Sequence, residues 1–140
     1  MKEVSATMNQ LLHLVVPAKA EYLSLVRLVV ASVANQSGFS EESVADIKVA
    51  LSEASTNVVR HAYAVSCPPS QMTIEINCYE DRDNFVIEVQ DHGCGIPLPP
   101  PASEGLGLGI MSSLMDNVVV EAGHTGTTVL LEKSPAIPRR

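Results

Sequence analysis

Apolar and polar positions along the chain sort into two periods. Residues 9–16 (NQLLHLVV) form an apolar run of strand length, and 71–79 (QMTIEINCY) and 84–90 (NFVIEVQ) alternate around the turn EDRD at 80–83, which predicts a hairpin. Two more strands are expected at 117–122 and 127–132, on either side of GHTG at 123–126. A helical period governs residues 18–36, where Tyr22, Leu25, Val26, Val29 and Val33 mark one face and Glu21, Ser24 and Arg27 another. Pro17 suits the start of that helix and Gly38 its end. Ser40, with Glu41 and Glu42 behind it, is an N-cap pattern for a second helix running to about Ala62, its inward stripe being Ile47, Leu51, Ala54, Val58 and Ala62. A proline-rich loop, IPLPPPASE at 96–104, leads through glycines into a third helix over about 108–116, and SPAIPRR reads as a frayed tail. The order of elements predicts an α/β chain, and no internal repeat is apparent.

Two polar residues stand off the second helix's apolar stripe. Glu53 and Asn57 are one turn apart on one face, with Cβ atoms about 5–6 Å from each other, so a carboxylate and an amide oxygen can converge on one small volume. A carboxylate there can take a proton from a hydroxyl nucleophile, and a neutral amide oxygen can ligate Mg²⁺ without adding negative charge beside phosphates. An isolated glutamate on a helix is more often a solvated surface charge. The company of Asp91, at the end of a predicted strand and followed by His92-Gly93-Cys94-Gly95, shifts the balance toward a magnesium-nucleotide site. Asp91 fits either a turn cap or an acceptor facing an exocyclic amine, with Gly93 and Gly95 allowing close approach to the backbone.

Composition narrows what such a site can use. The 140 residues suffice for one domain with a substantial core. With 46% apolar residues, 4% aromatics and no Trp, that core is expected to be aliphatic. The formal net charge is −7, and Lys2, Lys133, Arg139 and Arg140 lie near the ends, which leaves little for a basic groove and argues against nucleic-acid binding. A bound polyphosphate would then depend on a divalent cation, backbone amides and helix N-termini. The longest apolar stretch, residues 23–34, is interrupted by Arg27 and too short to span a membrane, and the first residues lack a signal-peptide core. Cys67, Cys78 and Cys94 form no CxxC and cannot all pair within the chain, which suits a soluble protein of the reducing cytoplasm.

Other motifs carry less. Gly105, Gly107 and Gly109 do not have the dinucleotide spacing and no GK[ST] comes after them, so Rossmann and P-loop readings fail, while a helix start offering amides to phosphate oxygens remains. His13, His92 and His124 have no zinc spacing, and His61 reads as a structural residue at a helix end. Cys94 has no basic neighbour to lower its thiol pKa.

Taken in order, Glu53-Ala54-Ser55-Thr56-Asn57, the DxGxG of 91–95, the glycines of 105–109 and the GTT of 126–128 resemble the four nucleotide-binding segments of the GHKL ATPase superfamily. SEASTNVVRHAY together with GIMSSLMDNV is similar to the anti-sigma factor serine kinases of that superfamily. The likeness spans about residues 9–132. It implies a Bergerat fold, an α+β sandwich with a mixed, mostly antiparallel sheet covered on one face by helices, forming a single domain. It further implies ATP with Mg²⁺ as cofactors, Glu53 as the base acting on a serine hydroxyl, Asn57 as the Mg²⁺ ligand and Asp91 as the acceptor for the adenine amino group. Gly93 and Gly95 would be the nucleotide-turn glycines, Gly105, Gly107 and Gly109 the phosphate-facing loop, and Thr127 a position near adenine. The partners implied are a sigma factor, a STAS-domain anti-anti-sigma protein and a second copy of the chain. Arg27, on the free face of the first helix, is an interface candidate and equally well a solvated charge. The segment between Gly95 and Gly105 is short and proline-rich, with Ser103-Glu104 where some relatives place a basic residue, which leaves a nucleotide-gated binding module as the alternative to a kinase.

Overall fold

The computed structural model describes residues 8–62, 72–93, 102–123 and 126–135. In chain order these form β1 (Met8–Pro17), a 3₁₀ turn (Ala20–Tyr22), α1 (Leu23–Gln36), α2 (Glu41–Asn57) running into a π turn (Val58–Ala62), β2 (Thr73–Asp81), β3 (Asn84–Asp91), α3 (Ala102–Leu114), β4 (Asn117–Gly123) and β5 (Gly126–Lys133). The strands make one sheet in the order β1-β2-β3-β5-β4, and each neighbouring pair is antiparallel. Among the described residues no helix is long and apolar enough to cross a membrane.

Period-two alternation sends one set of strand side chains to the helices. Ile74, Ile76 and Cys78 of β2, Ile87 and Val89 of β3, and Val129 and Leu131 of β5 are buried together with Val26 and Val30 of α1, Ile47 and Leu51 of α2 and Met111 of α3. The core is aliphatic as the composition predicts, apart from an edge-to-face contact of Phe39 with Phe85 at 5.6 Å. The opposite face of β1, β2 and β3 carries His13, Glu75, Asn77 and Glu88 in facing register. The sheet therefore has helices on one side, as the resemblance implies, and these polar side chains on the other.

Local signals place most boundaries. The Ser40 hydroxyl accepts from the Ser43 amide at 3.1 Å and caps α2 as expected. Gly38 takes φ 93° just beyond α1, a conformation open to glycine at little cost. The β2–β3 turn is tighter than EDRD: only Arg82 and Asp83 lie outside the strands, Arg82 at φ 61°.

Three expectations are corrected. Pro17 ends β1 instead of opening a helix, the Ala18 amide being held by the Met72 carbonyl at 2.8 Å, so α1 starts only at Leu23. The buried stripe of α1 is Leu23, Val26, Val30, Ala31 and Ala34, with Leu25 44% exposed; LSLVRLVVASVA is apolar almost all round, so packing against the sheet and α2 sets its rotation. The third helix begins at Ala102 instead of about 108, and the glycines lie inside it: Ala-Ser-Glu gives it a serviceable first turn, and burial of Met111 and Met115 holds a segment whose glycines each cost about 1 kcal/mol of helix propensity.

Candidate functional site

Asp91 closes β3 on the helix side of the sheet, opposite Ile74, and is 2% exposed. Its Oδ1 accepts two backbone hydrogen bonds, from Gly93 at 3.0 Å and from Thr127 at 3.1 Å. Its Oδ2 is buried without a partner, and so is the Thr127 hydroxyl. Burial pushes the Asp91 carboxyl above its ordinary value, opposed by the two amides and by His92. An anchored carboxylate with one oxygen lacking a donor, next to an unpartnered hydroxyl, is an incomplete hydrogen-bond set that an N–H donor of a ligand would complete.

Gly126 makes this arrangement sterically possible. It sits at φ 134°, and a Cβ there would overlap the Asp91 carbonyl and come within 3.1 Å of Asp91 Oδ1. Only a residue without a side chain lets β5 bring the Thr127 amide onto Asp91. The glycine was visible in the sequence as part of GTT, but the contact that requires it joins strands far apart in the chain.

Glu53 and Asn57 lie one turn apart in the last half of α2, both half-buried. α2 is packed between α1 and α3 and touches β3 and β5. Asn57 is its last α-helical residue, after which the backbone widens into the π turn Val58–Ala62. Such turns recur at functional positions in helices because the extra residue shifts which groups face the neighbouring element. Between the two site residues, Ser55 is 1% exposed and its hydroxyl lacks a partner.

The remaining candidates are more dispersed. Gly93 is buried and donates its amide to Asp91, and Gly95 lies outside the described residues. Gly105, Gly107 and Gly109 fall within α3, and a Cβ on Gly109 would meet only open space. Arg27 lies over the α1–α2 groove, its guanidinium 3.2 Å from the Ser24 hydroxyl and 3.5 Å from that of Ser52, the neighbour of Glu53 in sequence. Cys78 is buried and its thiol is pushed up to about 12, an unreactive core position, while Cys94 is outside the described residues. Among the described residues no group of three or more His, Cys, Asp or Glu is arranged to hold a metal ion.

The chain is similar throughout to known proteins. The family model of the histidine kinase-like ATPase domain matches residues 16–133. A serine-protein kinase RsbW of Bacillus cereus (strain ATCC 10987) is 36% identical over 132 residues, covering 84% of this chain and 81% of that protein. The namesake protein of Bacillus mycoides (strain KBAB4) is 37% identical over 134 residues with the same coverage. Among solved structures, the RsbU and RsbW domains of Rv1364c from Mycobacterium tuberculosis superpose with a TM-score of 0.66 at 23% identity over 93% of this chain, which spans about a third (34%) of that one. The histidine kinase domain of the Erythrobacter litoralis blue-light activated kinase EL346 gives a TM-score of 0.57 at 19% identity, covering 94% of this chain and 69% of that chain. Both superpositions speak to the fold, and the ATPase domain match together with the Bacillus relatives establishes that the chain belongs to the histidine kinase-like (GHKL) ATPase family, among its serine-protein kinases.

Proposed function

We propose that this protein is an ATP- and Mg²⁺-dependent serine kinase that phosphorylates a STAS-domain partner and, in an alternative complex, binds a sigma factor as a homodimer. The observation that carries the nucleotide reading is Asp91: a buried carboxylate with one oxygen anchored by two amides and the other without a donor, beside the unpartnered Thr127 hydroxyl. An adenine amino group supplies the missing donor, whereas a guanine carbonyl would set acceptor against acceptor. Asn57 would hold the cation, its neutral amide oxygen at the end of α2 being a donor that suits a hard ion such as Mg²⁺. Gly109 leaves open space beside α3 for a phosphate to approach, and Gly105 and Gly107 would extend that phosphate-facing stretch.

Bound ATP with Mg²⁺ supplies the transferable phosphoryl group and offsets its charge. Glu53 takes the proton from the partner's serine hydroxyl, and it is half-buried one turn from Asn57, the residue that would hold the cation. Asp91 and Thr127 fix the base of the nucleotide, and Gly93 and Gly95 admit it to the backbone. Arg27, over the α1–α2 groove, meets the protein partner. The work is done by a single domain in the cytoplasm.

The test is transfer itself. With ATP, Mg²⁺ and its cognate STAS protein, phosphoserine measured by mass spectrometry is expected to accumulate and to fall by about 10²–10⁴-fold in Glu53→Ala. Stable complex formation without transfer by the wild type would refute the kinase reading and leave a nucleotide-gated binding module. Unchanged transfer by Glu53→Ala would remove Glu53 from the base role.

A further inference from the structure

On the sheet face away from the helices, a hydrogen-bonded cluster runs from β1 to the end of β3, and the nucleotide reading makes no use of it. Glu75 of β2 has both carboxylate oxygens engaged: Oε1 lies 2.9 Å from His92 Nε2, and Oε2 lies 3.5 Å from His13 Nδ1 and from Asn77 Nδ2. Asn77 is 4% exposed and ties the cluster down, accepting from Gln10 at 2.9 Å, donating to Glu88 at 3.0 Å and facing His13 Nδ1 at 2.6 Å. The titratable groups around Glu75 are thus His13 on β1, His92 beyond β3, and Glu88 and Tyr79 on the flanking strand positions. The His92 hydrogen bond, seconded by Asn77 and the charges of the two imidazoles, holds the Glu75 carboxyl below its ordinary value against the opposing effect of burial. Glu75 is then an acceptor only, so His92 Nε2 carries the hydrogen and donates.

His92 joins the two residues that matter at the nucleotide site. Asp91 precedes it and points to the helix side; Gly93 comes after it and sends its amide back to Asp91 Oδ1. β3 ends at Asp91, and just beyond it Glu75 of the neighbouring strand reaches the turn through His92. Building on the adenine reading of Asp91, we infer that Glu75 and His92 form a clamp that positions the Asp91–Gly93 turn for nucleotide binding and tightens when the imidazole is protonated. Protonation of His92 turns a neutral hydrogen bond into an ion pair and places positive charge beside Asp91, favouring the ionised acceptor. Glu75 and His92 are positioning residues, on the far side of the sheet from the ligand.

ADP binding measured by calorimetry between pH 6 and pH 8, in wild type, Glu75→Gln and Glu75→Ala, tests this together with amide hydrogen exchange of Gly93 without nucleotide. Using one ligand throughout cancels its own titration in the ratios between variants. Glu75→Ala is expected to bind ADP roughly three- to tenfold more weakly at pH 6, a charged hydrogen bond discounted for partial exposure, and to exchange the Gly93 amide faster. Glu75→Gln retains an oxygen for His92, so it should keep the Gly93 protection and much of the affinity at pH 8 while losing the gain toward pH 6. Equal pH profiles and unchanged Gly93 exchange in all three proteins would overturn the clamp with the adenine site intact. If wild type fails to bind ADP yet Gly93 exchange responds to Glu75→Ala and to pH as described, the adenine reading falls and the clamp stands.

Discussion

Replacing Asp91 by Asn separates the cost of the empty site from its use. The side chain is 2% exposed, and the oxygen facing the site has no donor, so the ligand-free protein holds a desolvated acceptor whose pairing is worth about 1–3 kcal/mol. Asn keeps one oxygen for the Gly93 and Thr127 amides and removes the buried charge. The ligand-free variant is expected to gain about 1 kcal/mol, or roughly 3 °C in Tm for a domain of this size. Burial raises the folded pKa of Asp91, so the native state binds the proton more tightly than the unfolded chain does, and stability falls as pH rises through that folded pKa. The advantage of Asn is therefore full above it and disappears below the unfolded value near 4. Binding responds oppositely: the loss of a charged acceptor, about 1.5–3 kcal/mol, adds to an amide N–H now opposing the adenine amine, about 1–3 kcal/mol. Even the lower ends of both ranges, together about 2.5 kcal/mol, predict a roughly sixtyfold loss of ATP affinity at 1.4 kcal/mol per tenfold. Calorimetric titration and thermal melts with and without ATP-Mg²⁺ measure both effects. An Asp91→Asn protein that binds ATP within about threefold of wild type would refute the assignment.

The same geometry sets three further outcomes. Gly126→Ala combines φ 134° with overlap on the Asp91 carbonyl, and should lower stability by about 2–3 kcal/mol in denaturant melts while weakening ATP binding. Asn57→Ala should make nucleotide affinity insensitive to Mg²⁺, so that titrations with the cation and with EDTA give the same Kd; a persisting Mg²⁺ effect would move the cation ligand elsewhere. Ser40→Ala removes the α2 cap and should cost about 1 kcal/mol in a urea melt, leaving ATP affinity within twofold.

What the sequence revealed was mostly local. The Ser40 cap, the β2–β3 hairpin and the Glu53–Asn57 spacing each depend on residues within a turn of one another, and each stands close to where the pattern puts it. The rotation of α1 was not legible, because a helix apolar on nearly every side has no preferred face until the sheet and α2 choose one. Nor was the start of α3, where glycines suggest a loop and burial of Met111 decides for a helix. Asp91 was legible as a candidate because its glycines come directly after it, but the Thr127 amide reaches it only through the β3–β5 pairing. Glu75 gave no sign at all, its meeting with His92 being a product of strand register.

The π turn at Val58–Ala62 has a consequence for how the chain tolerates lost residues. A regular α-helix advances about 100° per residue, so one deletion between Leu51 and Glu53 would swing Ile47 and Leu51 out of phase with Glu53. Across Val58–Ala62 the backbone already carries one residue more than an α-helical turn needs. A single deletion there can be absorbed by reverting to α-helical pitch, leaving Glu53 and Asn57 where they are and altering only the heading of the chain beyond Ala62. The end of α2 is in this sense a joint at which length can vary while the phase of the site is kept.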